Sequence, residues 1–289
     1  MTTDVRPVTP VAQVRVARRS LGHDLRAVKI VLHRELLRFF YDRTRMISQL
    51  FQPVLYLLVL GTGLGSLVAG GGNVDLKTFI FPGVIAMSVM FTGMFSAASI
   101  VWDREFGFLR EMLVAPVSRT AIVVGKVLGG AVVATFQGLV ILALAGLVGV
   151  PYDPVMLVML VLLMFVGAFT ITAFGVVLAA RIKKMQSFFG IMQMAMMPML
   201  FLSGALFPLS GLPAWLSVLT RINPLTYAVD PLRHEVFAHI TASAQLKARF
   251  NPGVTWFGWH VPPLLEVGLV LVLGVGLLAG AIAQFRRTD

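Results

Sequence analysis

Long uncharged stretches alternate with short charged segments along most of the chain. Crossing about 30 Å of hydrocarbon takes about 20 helical residues. A charge at the centre of a membrane helix costs on the order of 2.5–3.5 kcal/mol, so charged residues mark the ends of such helices. The pattern therefore predicts an all-α polytopic membrane fold with six spans, at residues 47–69, 78–102, 122–148, 155–180, 186–207 and 261–285.

Composition supports this class. The 289 residues are 57% hydrophobic and 13% charged, with a net charge of +11. Typical soluble proteins are about 45–50% apolar and about 25% charged. A nucleic-acid-binding protein could be this basic, but it would not be this apolar. The chain has no cysteine, which excludes disulfides, thiolate metal sites and a cysteine nucleophile.

The Lys and Arg residues predict the orientation. Nineteen of the 24 lie in the N-terminal 45 residues, in the loops after the second and fourth spans, and at the C-terminus. The remaining segments carry equal numbers of basic and acidic residues, so the whole excess falls on one side. Because cytoplasmic loops are rich in Lys and Arg, both termini are expected in the cytoplasm.

Two cytoplasmic segments carry apolar patterns of their own. Residues 1–22 resemble a disordered tail, whereas residues 23–45 have helical amphipathic spacing and predict an interfacial helix before the transmembrane domain at 46–289. This helix could be a basic anchor, a mechanical element, or both. The loop 103–121 predicts a second helix, ended before Pro116, whose apolar face could bind a partner or cap this chain itself.

The segment before the last span is too apolar for an exposed loop and is divided by prolines. Residues 211–239 predict a pair of short re-entrant helices, because pieces of this length cannot span the membrane. Pro213 and Pro224 suit first-turn positions. Trp215 and Tyr227 suit the level of the lipid headgroups.

Several kinds of chemistry are missing from the sequence. There is no phosphate-binding loop, and the five histidines are scattered, so neither a bound nucleotide nor a metal is expected. No ionisable residue lies near the middle of a predicted span, and Glu266 is expected to contact headgroups at the outer end of the sixth. This pattern disfavours a self-powered carrier and an intramembrane hydrolase. Energy for any transport would come from a cytoplasmic partner.

Three stretches together resemble the permease subunits of type-2 ABC exporters, the group that includes the daunorubicin-resistance permeases and the polysaccharide or nodulation-factor export permeases. Each stretch is only moderately specific, but their order and positions match the family from about residue 30 to 285. Phe108 departs from the family, which often has a small or hydroxyl residue there. The stretches are Arg34–Arg43 with Gln52, Pro53 and Gly61–Gly65; Glu105–Gly107 with Glu111 and Pro116–Arg119; and Leu212–Leu216 with Ile222–Tyr227 and Asp230–Arg233.

The resemblance implies a complex in which two permease chains, identical or sister chains, each dock one cytoplasmic ATPase. ATP and Mg would be bound by the ATPase, and this chain would hold no cofactor. The helix around 104–115 would be the coupling helix and the segment 24–45 the connecting helix. The coupling residues would be Arg104, Glu105, Gly107, Phe108, Glu111, Leu113 and Pro116; those of the connecting helix would be Arg34, Glu35, Arg38, Asp42 and Arg43.

The same resemblance implies a substrate path at the dimer interface, between spans two and five. Its candidate residues are Met87, Met90, Phe91, Met94, Phe189, Met192, Met196 and Phe201, and those of an outer gate are Trp215, Asn223, Pro224 and Tyr227. Ordinary helix packing or lipid contact is the alternative for each methionine. Adaptable methionine surfaces favour an amphipathic drug, antibiotic or lipid exported across a bacterial cytoplasmic membrane. A polysaccharide or glycolipid exporter, a self-contained carrier or channel, and a membrane-embedded enzyme or assembly factor remain the alternatives.

Overall fold

The computed structural model describes residues 21–63, 76–107, 117–209, 211–240, 250–251, 253–256 and 258–287. These residues are mostly helical, as the uncharged stretches predict. The helices are α1 Leu21–Tyr41, α2 Arg43–Gly63, α3 Leu76–Glu105, α4 Arg119–Leu142, a 3₁₀ helix Ala145–Val148, α5 Pro154–Arg181, α6 Met185–Leu202, α7 Ala214–Ile222, α8 Pro224–His239 and α9 Pro263–Arg287. Two short antiparallel strands, β1 Thr255–Trp256 and β2 Trp259–His260, form a hairpin before α9.

Among the described residues, five helices are long and apolar enough to cross a membrane: α3, α4, α5, α6 and α9. They coincide with predicted spans two to six. The first predicted span falls on α2 and then continues outside the described residues, so it stays a prediction. Helix α3 lies at the centre of the bundle: 94% of its most apolar 18-residue stretch is buried, against 22% of the corresponding stretch of α9.

The predicted interfacial helix ends earlier than expected. Helix α1 stops at Tyr41, and Arg43 already belongs to α2. The side chain of Asp42 accepts a hydrogen bond from the backbone N–H of Arg45 at 3.1 Å. This is how an N-terminal capping residue starts a new helix, which explains why the single predicted helix is divided in two.

Helix α1 also packs more closely than an interfacial helix needs to. Two glycines four residues apart on α4 face it: a Cβ on Gly125 would lie 2.8 Å from Val31, and one on Gly129 would lie 3.0 Å from Glu35. Small residues at this spacing let helix backbones approach each other. The buried side chains of α1, which include Glu35 and Phe39, therefore face the bundle.

The two short helices predicted within 211–239 are present as α7 and α8. Pro224 occupies the first turn of α8, as expected, whereas Pro213 precedes α7 as its capping residue. Trp215 is exposed, but Tyr227 is buried. The hydroxyl of Tyr227 donates to the carbonyl of Arg221 and accepts from Trp256, so it fastens α8 to the hairpin instead of facing headgroups.

One close contact gives a stability prediction. A Cβ on Gly83 of α3 would lie 2.0 Å from the carbonyl oxygen of Ala205. Gly83→Ala should therefore displace the segment after α6 and destabilise the protein by about 1–3 kcal/mol, as overpacking does. Thermal unfolding in detergent would measure this as a lower melting temperature.

Gly190→Ala is the matched control, because a Cβ at this helical position of α6 meets nothing within 4 Å. It should be neutral or stabilise by about 0.5–1 kcal/mol, since alanine favours the helix. Equal melting temperatures for the two variants would contradict the close packing of α3 against Ala205.

Candidate functional site

A buried ionic cluster joins α1, α3 and α4 at the end of the bundle that carries the α1–α2 junction, which we call the basic end. The Nζ atom of Lys126 lies 2.7 Å from Asp103 Oδ2 and 3.0 Å from Glu35 Oε1. It also donates to Ser99 Oγ at 3.0 Å. The exposed fractions of the Lys126, Asp103 and Glu35 side chains are only 2%, 6% and 5%. Burial of this kind is tolerated because each charge is paired.

Two arginines of α1 complete the cluster from its half-exposed side. Arg34 Nη2 lies 3.0 Å from Asp103 Oδ2, and Arg38 Nη1 lies 3.7 Å from Asp103 Oδ1. The guanidinium of Arg38 also lies 5.6 Å from the ring centroid of Trp102. Three cations therefore surround two carboxylates, and α1 is held against the C-terminal part of α3.

The end of α3 is tied to the junction between α5 and α6. Arg104 donates to the carbonyl oxygens of Ile182 at 2.9 Å and Ala179 at 3.3 Å, which satisfies the end of α5. The carboxylate of Glu105 accepts from the backbone N–H of Met185 at 2.8 Å, at the first residue of α6. These two predicted coupling residues therefore hold three helices together.

The rest of the predicted coupling helix is mostly outside the described residues. Gly107 follows α3 with a φ of 84°, in the left-handed region that favours glycine. Phe108, Glu111, Leu113 and Pro116 lie outside the described residues. On the other side of this segment, Arg119 donates to the carbonyl of Phe285 at 3.1 Å. Both flanks of 108–116 are thus anchored to the bundle.

A cavity of about 550 Å³ lies beside the ionic cluster, between the α1–α2 junction, α3 and α6. Ligand sites for small molecules typically have volumes of about 300–1,000 Å³. One part of the lining is charged, another carries amides, and the walls are aromatic or apolar. The lining residues are Arg38, Asp42, Arg45, Ser48, Gln49, Gln52, Phe91, Phe95, Ala98, Ser99, Trp102, Met185, Phe189, Gln193 and Met197.

The eight predicted path residues separate into two groups. Phe91 and Phe189 line the cavity, and Phe201 is exposed on α6. The methionines are instead packed inside the single chain, as the helix-packing alternative expects; they are Met87, Met90, Met94, Met192 and Met196. The role of the eight residues in a path stays a prediction. The sequence interpretation did not identify the lining residues Gln49, Gln52 and Gln193, although glutamine inside an apolar helix was a usable signal.

A second buried polar group lies at the opposite end, under α8. Glu266 was expected to contact headgroups, but its side chain is fully buried, because α8 and the hairpin cover this part of α9. Arg233 is also buried; its guanidinium lies 4.3 Å from the ring centroid of Phe79 and donates to the carbonyl of Gly204.

Asn223 caps α8 and donates to the carbonyl of Met199 at 2.7 Å. Two of the predicted gate residues, Asn223 and Tyr227, therefore fix α8 in place.

A comparison with known proteins finds a matching family model and several relatives of this chain. A family model described as ABC-2 type transporter matches residues 26–237, which include most of α1, the ionic cluster and most of α8. Nodulation protein J of Rhizobium leguminosarum bv. viciae is 30% identical over 227 residues, covering 78% of this chain and 86% of that protein.

Two other relatives match this chain over a smaller share of their own length. Protein ycf38 of Cyanophora paradoxa, provisionally named a transport permease, is 29% identical over 65% of this chain and 66% of its own length. YbhR of Escherichia coli K12, provisionally named a multidrug ABC transporter permease, is 32% identical over 55% of this chain and 43% of its own length. The chain thus covers less than two thirds of either relative.

Proposed function

Because this chain belongs to the ABC-2 type transporter family, we propose that it is the membrane permease subunit of an ABC exporter driven by a separate ATPase. The family match over residues 26–237 carries this proposal. The complex would contain two permease chains and two ATPase subunits in a bacterial cytoplasmic membrane. Both termini of each permease would lie in the cytoplasm, on the side of the ATPases.

The anchoring of the segment 108–116 supports a coupling role. Arg104 and Glu105 connect the end of α3 to α5 and α6, and Arg119 connects the start of α4 to α9. A displacement of this segment by a docked ATPase would therefore reach five helices directly. The ionic cluster of Lys126 would pass the same displacement to α1, the proposed connecting helix.

The cavity at the basic end supports an amphipathic substrate. Its walls include four aromatic side chains, and charged groups occupy one part of the lining. Such a combination suits a molecule with one apolar and one polar part, such as a drug, antibiotic or lipid. The multidrug assignment in the name of YbhR points in the same direction.

Transport in inside-out vesicles tests the proposal. The vesicles would contain this chain with its ATPase partner, and three fluorescent amphiphiles would be offered: one anionic, one neutral and one cationic. We expect uptake of at least one of them that requires both ATP and the ATPase. Uptake by the permease alone without ATP would identify a self-contained carrier and contradict the proposal.

Replacing residues 108–115 with a Gly–Ser linker should uncouple the complex. Arg104 and Glu105 are kept because they hold helices together. We expect ATP-dependent uptake to fall at least about tenfold, because the proposed contact to the ATPase is removed. The measurement is uptake beside thermal unfolding; Glu111→Gln is the milder variant. Full uptake with the linker present would contradict the coupling role.

A further inference from the structure

We propose that the cavity between the α1–α2 junction, α3 and α6 is a loading site for an anionic amphiphile, whose acidic head group binds Arg45 and Arg38 and whose apolar part lies along Phe95 and Phe189. The transport step of this inference rests on the proposed function. Binding to the cavity does not, because every group that carries it belongs to this chain.

The charged part of the cavity has unused capacity for an anion. Among the described residues, no carboxylate lies within 4 Å of the Arg45 guanidinium, and Arg38 reaches Asp103 only at 3.7 Å. Burial and the nearby Arg38 lower the pKa of Arg45, and Asp42 and Glu35 only partly offset this, so a further counter-ion would favour its charged form. A carboxylate, phosphate or sulfate on the ligand would supply that counter-ion and accept charge-assisted hydrogen bonds.

The single acid in the lining does not reverse this preference. Asp42 already accepts the backbone N–H of Arg45 as the cap of α2. The lining therefore holds two arginines and one carboxylate, which is engaged at a helix start, and outside the lining Asp103 lies 3.7 Å from one of these arginines, Arg38. A cationic ligand would meet repulsion from both arginines, whereas an anionic ligand would meet attraction.

Amide groups between the charged and apolar parts also favour an acceptor. The Nε2 atom of Gln49 is buried and has no hydrogen-bond partner among the described residues, while its Oε1 accepts from Thr92 at 3.4 Å. Gln193 lines the cavity on the α6 side. The free N–H donors of Gln49 suit ester, carboxylate or phosphate oxygens just below the head group.

The apolar part of the lining is a mainly aromatic surface that a hydrocarbon chain or ring can contact. The rings of Phe95 and Phe189 pack with centroids 5.9 Å apart, and Phe91 and Met197 extend the surface. These side chains come from α3 and α6, so the apolar part of the ligand would lie between two helices. Together with the arginines, they select a molecule that is acidic at one end and apolar along its length.

Fluorescent probes that differ only in charge test this inference. The full chain in lipid nanodiscs would be titrated with 11-(dansylamino)undecanoate and with its methyl ester. Energy transfer from Trp102, which lines the cavity, to the dansyl group reports binding. We expect the acid to bind at least about tenfold more tightly than the ester, since a charge-assisted contact contributes an effect of this size.

Variants locate the effect. Arg45→Gln should weaken binding of the acid about tenfold and leave the ester unchanged, and Arg45→Lys should restore most of the affinity. Lys29→Gln removes a positive charge from the exposed face of α1 and should change neither affinity. Trp102→Phe should remove most of the energy transfer, because the other three tryptophans lie in α7 and the hairpin, at the opposite end of the bundle.

Each contrary result has a definite meaning. Equal affinities for acid and ester, equal loss of both in Arg45→Gln, or full energy transfer in Trp102→Phe would overturn the site. A cavity filled by the second chain would give no binding and would also overturn it. Tight binding of the acid with no effect of Arg45→Gln on its ATP-dependent uptake would mean that the cavity binds the amphiphile without loading it for transport, and would overturn the loading role. Absence of ATP-dependent uptake despite binding would count against the exporter instead.

Discussion

Replacing Lys126 with methionine is expected to lower the free energy of unfolding by about 3 kcal/mol, and the melting temperature by on the order of 10 °C. The change leaves Glu35 and Asp103 buried without the ammonium group that lies 3.0 and 2.7 Å from them. Removing one partner of a buried ion pair typically costs about 3–5 kcal/mol. We expect the lower end of that range, because Arg34 also reaches Asp103.

Further variants separate the effect of the Lys126 charge on stability from the effect of its shape. Methionine is close to lysine in length, so the loss should come from the uncompensated carboxylates and not from a cavity. The triple variant Lys126→Met, Glu35→Gln, Asp103→Asn should therefore recover much of the lost stability. Lys29→Met, at an exposed position of α1, should stay within about 0.5 kcal/mol of the wild type. A Lys126→Met protein as stable as the wild type would contradict the cluster.

The charge pattern predicted most of the helices, because insertion into hydrocarbon depends on the order of charged and uncharged residues along the chain. A run of about 20 uncharged residues is nearly sufficient to define a span, since each charge inside it would be costly. Helices α3, α4, α5, α6 and α9 therefore coincide with predicted spans. Proline positions similarly predicted the pair α7 and α8, because proline favours helix starts.

The ionic cluster could not be predicted in the same way, because its burial depends on how helices pack. Lys126 and Asp103 lie near the ends of predicted spans, where charged residues usually meet water or headgroups. Here α1 covers them and brings Glu35 into contact. The available signal was helical phase: Glu35 lies four residues before Phe39 and eight after Ala27, both of which are buried.

The contacts of the methionines could not be predicted from the sequence, for a different reason. An apolar side chain is compatible with a neighbouring helix, a lipid or a substrate path, so a methionine cluster does not indicate which of these it contacts. In the structure, Met87, Met90 and Met94 contact other helices of the same chain. Glutamines inside apolar helices carry more information, because a buried amide needs a polar partner. Gln49 and Gln193 accordingly face the cavity.

Replacing Arg233 with methionine is expected to destabilise the opposite end of the bundle by about 3 kcal/mol. Arg233 is 2% exposed, and its guanidinium stacks over Phe79 of α3 while donating to the carbonyl of Gly204. A desolvated cation–π contact contributes about 2 kcal/mol, and a hydrogen bond from a charged group about 1.5–3 kcal/mol. Removing both should loosen α8 from α3 and lower the melting temperature.

Arg233→Lys should recover little of this stability, because lysine lacks the planar guanidinium that stacks on a ring while donating sideways. Lys183→Met removes an exposed cation and should leave the melting temperature nearly unchanged. Combining Arg233→Met with Asp230→Asn then identifies the cause. Recovery of stability would mean that Arg233 mainly compensates the buried Asp230 carboxylate; no recovery would mean that Phe79 and Gly204 dominate. If Arg233→Met and Arg233→Lys both remain within about 0.5 kcal/mol of the wild type, Arg233 does not hold α8 against α3.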